Sequence, residues 1–110
     1  MADGNELEQQ FQDCMPLFIA LGDEMRLTII QTLTHAVRTD HPDGLNVNEI
    51  TRQTSLSRPA ISHHLKILKE SGLVDVQRKG TSNYYSPRLL SATRRLMHMG
   101  ALIEDAFRKD

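Results

Sequence analysis

The sequence predicts a mainly α-helical domain in the order α-α-α-α-β-β-α, in which a helix-turn-helix runs into a small β-hairpin. Three observations predict it. Apolar residues recur at helical spacing over most of the chain, in stripes separated by residues that start and stop helices. A short amphipathic stretch and a longer basic one are joined by a few turn residues, TSLS. After Gly72 the apolar period changes from helical to alternating, around a Lys79-Gly80-Thr81 centre. A chain of 110 residues is expected to be one domain, burying roughly two-thirds of its unfolded surface.

The first helix is expected over about residues 5–21, from the stripe Leu7, Phe11, Met15, Phe18 and Leu21. Pro16 lies inside it. Proline suits a first turn but not a helix interior, so Asp13 reads as a new cap and a kink or break is expected near residues 12–14. Gly22 is a helix stop and Asp23 the N-cap of the second helix. There Leu27, Ile30, Leu33 and Val37 share a face, with Ile29 beside them. The stretch RTDHPDG, 38–44, is a loop by composition, and Leu45 is a candidate for a short strand. Asn46, with Glu49 three residues on, opens a short third helix to about Thr54. Ser57 caps the fourth helix, with Pro59 in its first turn. Ile61, Leu65 and Leu68 form its buried side, and Gly72 ends it.

The hairpin follows, with Val74, Val76 and Arg78 alternating outward and Ser82, Tyr84 and Ser86 alternating on the return. Ser86 as cap and Pro87 as first residue are expected to open the last helix, over about 87–108. Its apolar residues include Leu89, Leu96, Met99, Leu102, Ile103 and Phe107, and they cover more than one narrow face. A terminal helix of that kind is expected to pack against a second chain.

The formal net charge is −1, which by itself argues against nucleic acid, but its distribution does not. Residues 1–24 carry six acids and no Lys or Arg. Residues 57–88 carry six Lys and Arg against Glu70 and Asp75, a local charge of +4. The basic segment contains the fourth helix and the hairpin. With the apolar side turned inward, Arg58, Ser62, His63, Lys66 and Lys69 are left outward. A helix that reads DNA needs such a face, with groups that reach base edges and cations that hold phosphates. Its N-terminal end enters the groove first, so Ser57, Arg58, Pro59, Ala60, Ser62 and His63 are the leading candidates. His64 is a further candidate that could instead point inward as a packing or hydrogen-bonding residue. Arg78 and Lys79 at the hairpin tip, with Thr81 beside them, can reach an adjacent phosphate or the minor groove. The reading is a winged helix-turn-helix.

The segments LGDEMRLTIIQTL and LNVNEITRQTSLSRPAISHHLKILKESGLVDVQRKGTSNYYS resemble the ArsR/SmtB family of bacterial winged-helix repressors. The resemblance runs from about Leu21 to Ser86. It implies a homodimer paired through the first and last helices, on an imperfect palindrome of double-stranded DNA. It also implies repression that an effector relieves. Two metal sites familiar in that family are not matched here. Asn46, Val47 and Asn48 stand where one has Cys-Val-Cys, and amides are poor soft-metal ligands. The last helix has one His, His98, with Glu104 and Asp105 further on, and lacks the paired spacing of the other. No metal and no cofactor is therefore expected.

Two other sensing routes stay open: His35, Asp40, His41 and Asp43 around the long loop as a metal site, and Cys14 as a thiol sensor. Cys14 lies on the apolar side of its helix, which favours a buried, inert thiol. A winged helix serving only as a protein-interaction module is the competing reading, and the basic face argues against it. No nucleophile–base set and no phosphate-binding glycine loop is legible, so an enzyme is not expected. A single Cys, an acidic N-terminus and no long apolar run fit a cytoplasmic protein that does not enter a membrane.

Overall fold

The computed structural model describes residues 4–108, and these form five helices and one two-stranded sheet. Helix α1 spans Gly4–Leu21 and α2 spans Glu24–Arg38. Gly22 closes α1 by donating to the Phe18 carbonyl at 2.9 Å. Asp23 then caps α2, accepting from Met25 N at 2.9 Å and Arg26 N at 3.1 Å. Helix α3, Val47–Gln53, begins in the full capping box that Asn46 and Glu49 predict. Helix α4 spans Arg58–Glu70. Strands β1, Val74–Lys79, and β2, Ser82–Pro87, pair antiparallel with Lys79 opposite Ser82, and α5 spans Leu89–Phe107. Leu45 adds an isolated bridge to Tyr85, which attaches the loop before α3 to the outer edge of β2.

Three expectations are corrected. Helix α1 does not break near residues 12–14; it runs through Pro16. The proline ring faces solvent, and its missing N–H leaves the preceding turn short of a donor. Arg95 of α5 donates to the Asp13 carbonyl just before the proline, which ties α1 to α5 there. Leu27 is exposed rather than on the buried face of α2, which is centred on Ile29, Leu33 and Ala36 and includes Arg26. The last helix begins at Leu89, because β2 continues through Ser86 and Pro87, opposite Asp75 and Val74. The Arg88 amide then donates to Leu73 O at 2.8 Å.

The core gathers Leu17, Ile29, Leu33, Ile50, Leu65 and Leu68 from the first four helices, each with almost no exposure. Each such side chain contributes about 1.5–3 kcal/mol by leaving water. Leu45, Leu73 and Val74 extend this core to the base of the hairpin. Helices α1 and α5 pack on each other at one side. The molecule measures 55 × 25 × 22 Å and its radius of gyration is 16.5 Å. A compact chain of this length would have roughly 13 Å, so the protomer is elongated.

Candidate nucleic-acid interface

Helix α4 is fixed at both ends by local chemistry. The Ser57 hydroxyl accepts from Ala60 N at 3.3 Å, and Pro59 occupies a first-turn position where no N–H is needed. At the other end Gly72 takes φ 79°, its amide donates to Lys69 O at 3.1 Å, and the Leu73 amide donates to Leu68 O at 2.9 Å. That pair of bonds is a Schellman stop, with buried Leu68 and Leu73 as its apolar contact. One residue later β1 begins, so the helix and the hairpin are joined almost without a loop.

Ile61, Leu65 and Leu68 are buried, and Ser57, Arg58, Pro59, Ser62, His63, Lys66 and Lys69 are exposed. Ala60 is half-buried. The split follows the helical period, and it leaves hydroxyl, imidazole, guanidinium and ammonium groups on one continuous outer face. At the hairpin tip Arg78, Lys79 and Thr81 are exposed as well. Gly80 takes φ 62° and Thr81 does not share the positive φ, the pattern of a two-residue II′ turn led by glycine. Arg58 and Thr81 line one groove of about 190 Å³ together with Asn46, Asn48 and Asn83. The start of α4, the start of α3 and the hairpin tip therefore meet at one place. Sequence reasoning missed the amides as part of this surface. In the sequence Asn46 reads as a helix cap and, with Asn48, as a mismatch to a metal site, and nothing local marks Asn83.

His64 leaves the outer face. It is half-buried on the flank of α4, with Nδ1 3.4 Å from Arg26 Nη1. Arg26 is nearly buried, and it holds the junction of α1, α2 and α4 together. Its Nε donates to Ala20 O at 2.8 Å and its Nη2 to Ile19 O at 3.0 Å, which satisfies carbonyls at the end of α1. An arginine N–H can only donate, so this contact is a hydrogen bond only when His64 Nδ1 carries no proton. Arg26 was not singled out in the sequence. The available signal was its place in the first turn of α2, where a cation opposes the helix dipole unless it serves another element.

Asp23 completes this junction. Its carboxyl is held below the usual range, first by the Arg26 backbone N–H, against a slight loss of hydration, and then by the charges of Arg26 and His64 and the Met25 N–H. A lowered folded-state pKa stabilises above the unfolded value and fades as pH falls through the folded one. Asp23→Asn keeps a capping oxygen but removes this dependence. Urea unfolding across pH is expected to show a flatter acid limb for the variant below about pH 4. Parallel limbs would contradict the assignment.

The loop after α2 does not gather ligands. His41 Nε2 lies 3.5 Å from Glu49 Oε2, and Asp43 Oδ2 lies 2.5 Å from Lys79 Nζ. Among the described residues no three His, Cys, Asp or Glu side chains converge. His98 faces Glu6 across the α1–α5 contact, at 3.6 Å. Cys14 is fully buried, on the same side of α1 as buried Leu17 and not with the exposed Phe11, Met15 and Phe18.

On the candidate pairing surface, Phe11, Met15 and Phe18 of α1 are exposed and Leu7 is half-buried. On α5, Phe107 is exposed and Leu89, Leu96 and Ile103 are half-buried. Met99 and Leu102 are buried within the protomer itself. Leu90 and Met97, outside the expected set, are exposed at 63% and 69% and carry much of the apolar surface of α5.

A helix-turn-helix with a basic outer face, and a hairpin whose tip shares a groove with it, defines a winged-helix DNA-binding protein. The family described as "Bacterial regulatory protein, arsR family" matches residues 23–76. An uncharacterised helix-turn-helix transcriptional regulator of Methanocaldococcus jannaschii is 32% identical over 77 residues, covering 70% of this chain and 80% of that protein. The transcriptional repressor SdpR of Bacillus subtilis is 34% identical over 70 residues, 64% of this chain and 70% of the repressor. An ArsR-like transcriptional regulator from Rhodococcus has a similar structure, with a TM-score of 0.68 and 25% identity over 87% of this chain and 84% of that one. The chain belongs to the arsR family of bacterial regulatory proteins, and it is a DNA-binding transcriptional regulator, not an enzyme.

Proposed function

We propose that the chain is a homodimeric repressor that occupies an imperfect palindrome, with the N-terminal half of α4 in the major groove and the hairpin beside it. The observation that carries this is the split of α4: its apolar side is buried, and Arg58, Ser62, His63, Lys66 and Lys69 stand free on the other. A repressor role is supported by the similarity to a relative named as one. Pairing through α1 and α5 is supported by exposed Phe11, Phe18, Leu90, Met97 and Phe107, and by the elongated shape of the single protomer. We read it as a member without the family's familiar metal sites, because the Asn46 side chain is already engaged in capping α3. Its place of action is then the cytoplasm, and no helix among the described residues is long and apolar enough to cross a membrane.

Selection of bound fragments from random DNA tests the reading, followed by anisotropy titration of the selected duplex against a scrambled one at two salt concentrations. Sedimentation of the same sample reads the dimer. A palindromic selected site, bound far above scrambled DNA, is expected. Arg58→Ala and His63→Ala should reduce that discrimination roughly 5- to 100-fold, the range for a lost base contact. Lys66→Ala should weaken both duplexes alike and flatten the salt dependence. Failure to enrich any sequence, with weak binding at both salts, would overturn the proposal and point to a protein partner.

A further inference from the structure

The loop between α2 and α3 carries an acid to the hairpin tip. Asp43 Oδ2 lies 2.5 Å from Lys79 Nζ, and the same ammonium sits 5.8 Å from the centre of the Tyr84 ring. We propose that Asp43 is a built-in competitor for DNA phosphate, which holds the charge of Lys79 within the protein and so trims sequence-independent affinity. The inference rests on the proposed reading of the hairpin as a DNA-contacting wing.

The pairing is a product of the backbone, not of two mobile surface chains meeting. His41 N donates to Ala36 O and Gly44 N to His41 O, both at 2.9 Å, which places Pro42 and Asp43 at the centre of a tight turn. Leu45 then exchanges hydrogen bonds with Tyr85, with Leu45 N to Tyr85 O at 3.0 Å and Tyr85 N to Leu45 O at 2.8 Å. Asp43 is thus registered to β2 two residues before a fixed backbone pair. The other charged groups of this corner are Asp40, which lines the same cleft as Asp43 and Lys79, Glu49, which faces His41, and Arg78, next to Lys79 in β1.

Lys79 and Asp43 remain 40% and 64% exposed, so their attraction alone is weak and screened by salt. The effect on DNA is different in kind. A cation adds to sequence-independent binding by neutralising a phosphate and releasing its counterion. Lys79 meets a carboxylate at contact distance in the free protein, and the carboxylate itself repels an approaching phosphate. Among the described residues Asp43 pairs with Lys79 and with no group of the base-reading face of α4, so the acid lowers background binding more than it lowers discrimination.

The test is anisotropy titration over a salt series, using a scrambled duplex and the selected site, with wild type, Asp43→Asn, Asp43→Ala, Lys79→Ala and Asp43→Asn/Lys79→Ala. Both Asp43 variants are expected to bind both duplexes roughly two- to fivefold more tightly at low salt. Their log–log salt slope should steepen by up to about 0.9, one phosphate contact. Lys79→Ala alone should weaken both duplexes, but by less than Lys66→Ala does, and it should abolish the gain in the Asp43→Asn background. Unchanged or weaker binding by the Asp43 variants, or a gain that survives loss of Lys79, overturns the proposal. Arg58→Ala and Lys66→Ala run alongside. If they too are silent, the DNA-reading assignment itself has failed; if only the Asp43 variants are silent, that assignment stands and the competitor role falls.

Discussion

Arg26→Ala is expected to destabilise the protein by about 2–4 kcal/mol, the range for removing a buried charged donor that leaves its acceptors unpaired. Four groups lose a partner at once: the carbonyls of Ile19 and Ala20, the ring of His64 and the Asp23 carboxylate, 3.9 Å from Nη1. The Ala20 carbonyl bond is buried and has the most to lose, while the Ile19 carbonyl keeps the Gly22 amide at 3.3 Å. Arg26→Lys should recover only part of the loss, since one ammonium cannot reach two successive carbonyls with the geometry of a planar fork. Urea unfolding at one fixed protein concentration reads both variants. A loss below about 1 kcal/mol for the alanine would place Arg26 among ordinary surface residues.

Gly44→Ala is expected to be as severe, for a different reason. Gly44 takes φ 95°, and a Cβ built on it would lie 2.1 Å from the Tyr85 carbonyl oxygen. Two penalties add: the backbone region that L side chains avoid, and an overlap with main chain that cannot rotate away. The loop must lift from β2 to admit the methyl group, and the Leu45–Tyr85 pair is then lost with it. A cost of about 2–4 kcal/mol follows, and a melting temperature lower by on the order of 10 °C. Gly80→Ala is the matched control. It also has positive φ, at 62°, but nothing lies within 4 Å of its added carbon, so it should lose clearly less. Equal losses at the two positions would mean that conformation alone, and not the approach of the loop to the hairpin, sets the effect.

The local grammar of the chain was legible where one residue type has one job. Asp23, Asn46 with Glu49, Ser57 and Gly72 mark their helix ends in the sequence, and each makes the bond its chemistry predicts. The outer face of α4 was legible because three buried positions fix the helix phase. What was not legible depends on partners far along the chain. Pro16 announces a break, but the helix runs through it with the ring turned to solvent, which no local pattern decides. Leu27 fits the α2 stripe as well as Ile29 does, and packing selects between them. Ser86-Pro87 is a sound helix start that the ladder with β1 overrides. Asp43 looked like one of several polar loop residues, and its tie to Lys79 exists only because Leu45 finds Tyr85. Arg26 and His64 meet across 38 positions, a separation no local pattern reports.

Cys14 gives the molecule a thermodynamic gauge. Its thiol is fully enclosed at a point on α1 beside the turn that Arg95 braces. A thiol reagent cannot reach it in the closed chain, so modification proceeds only through states in which α1 has lifted. When reclosing outpaces the reagent, the labelling rate divided by that of a free thiol is the equilibrium fraction of opened molecules. That fraction converts directly to the free energy of detaching this one helix, without unfolding the rest. Recorded against protein concentration, it also separates the hold of α5 in the same chain from the added hold of a second copy.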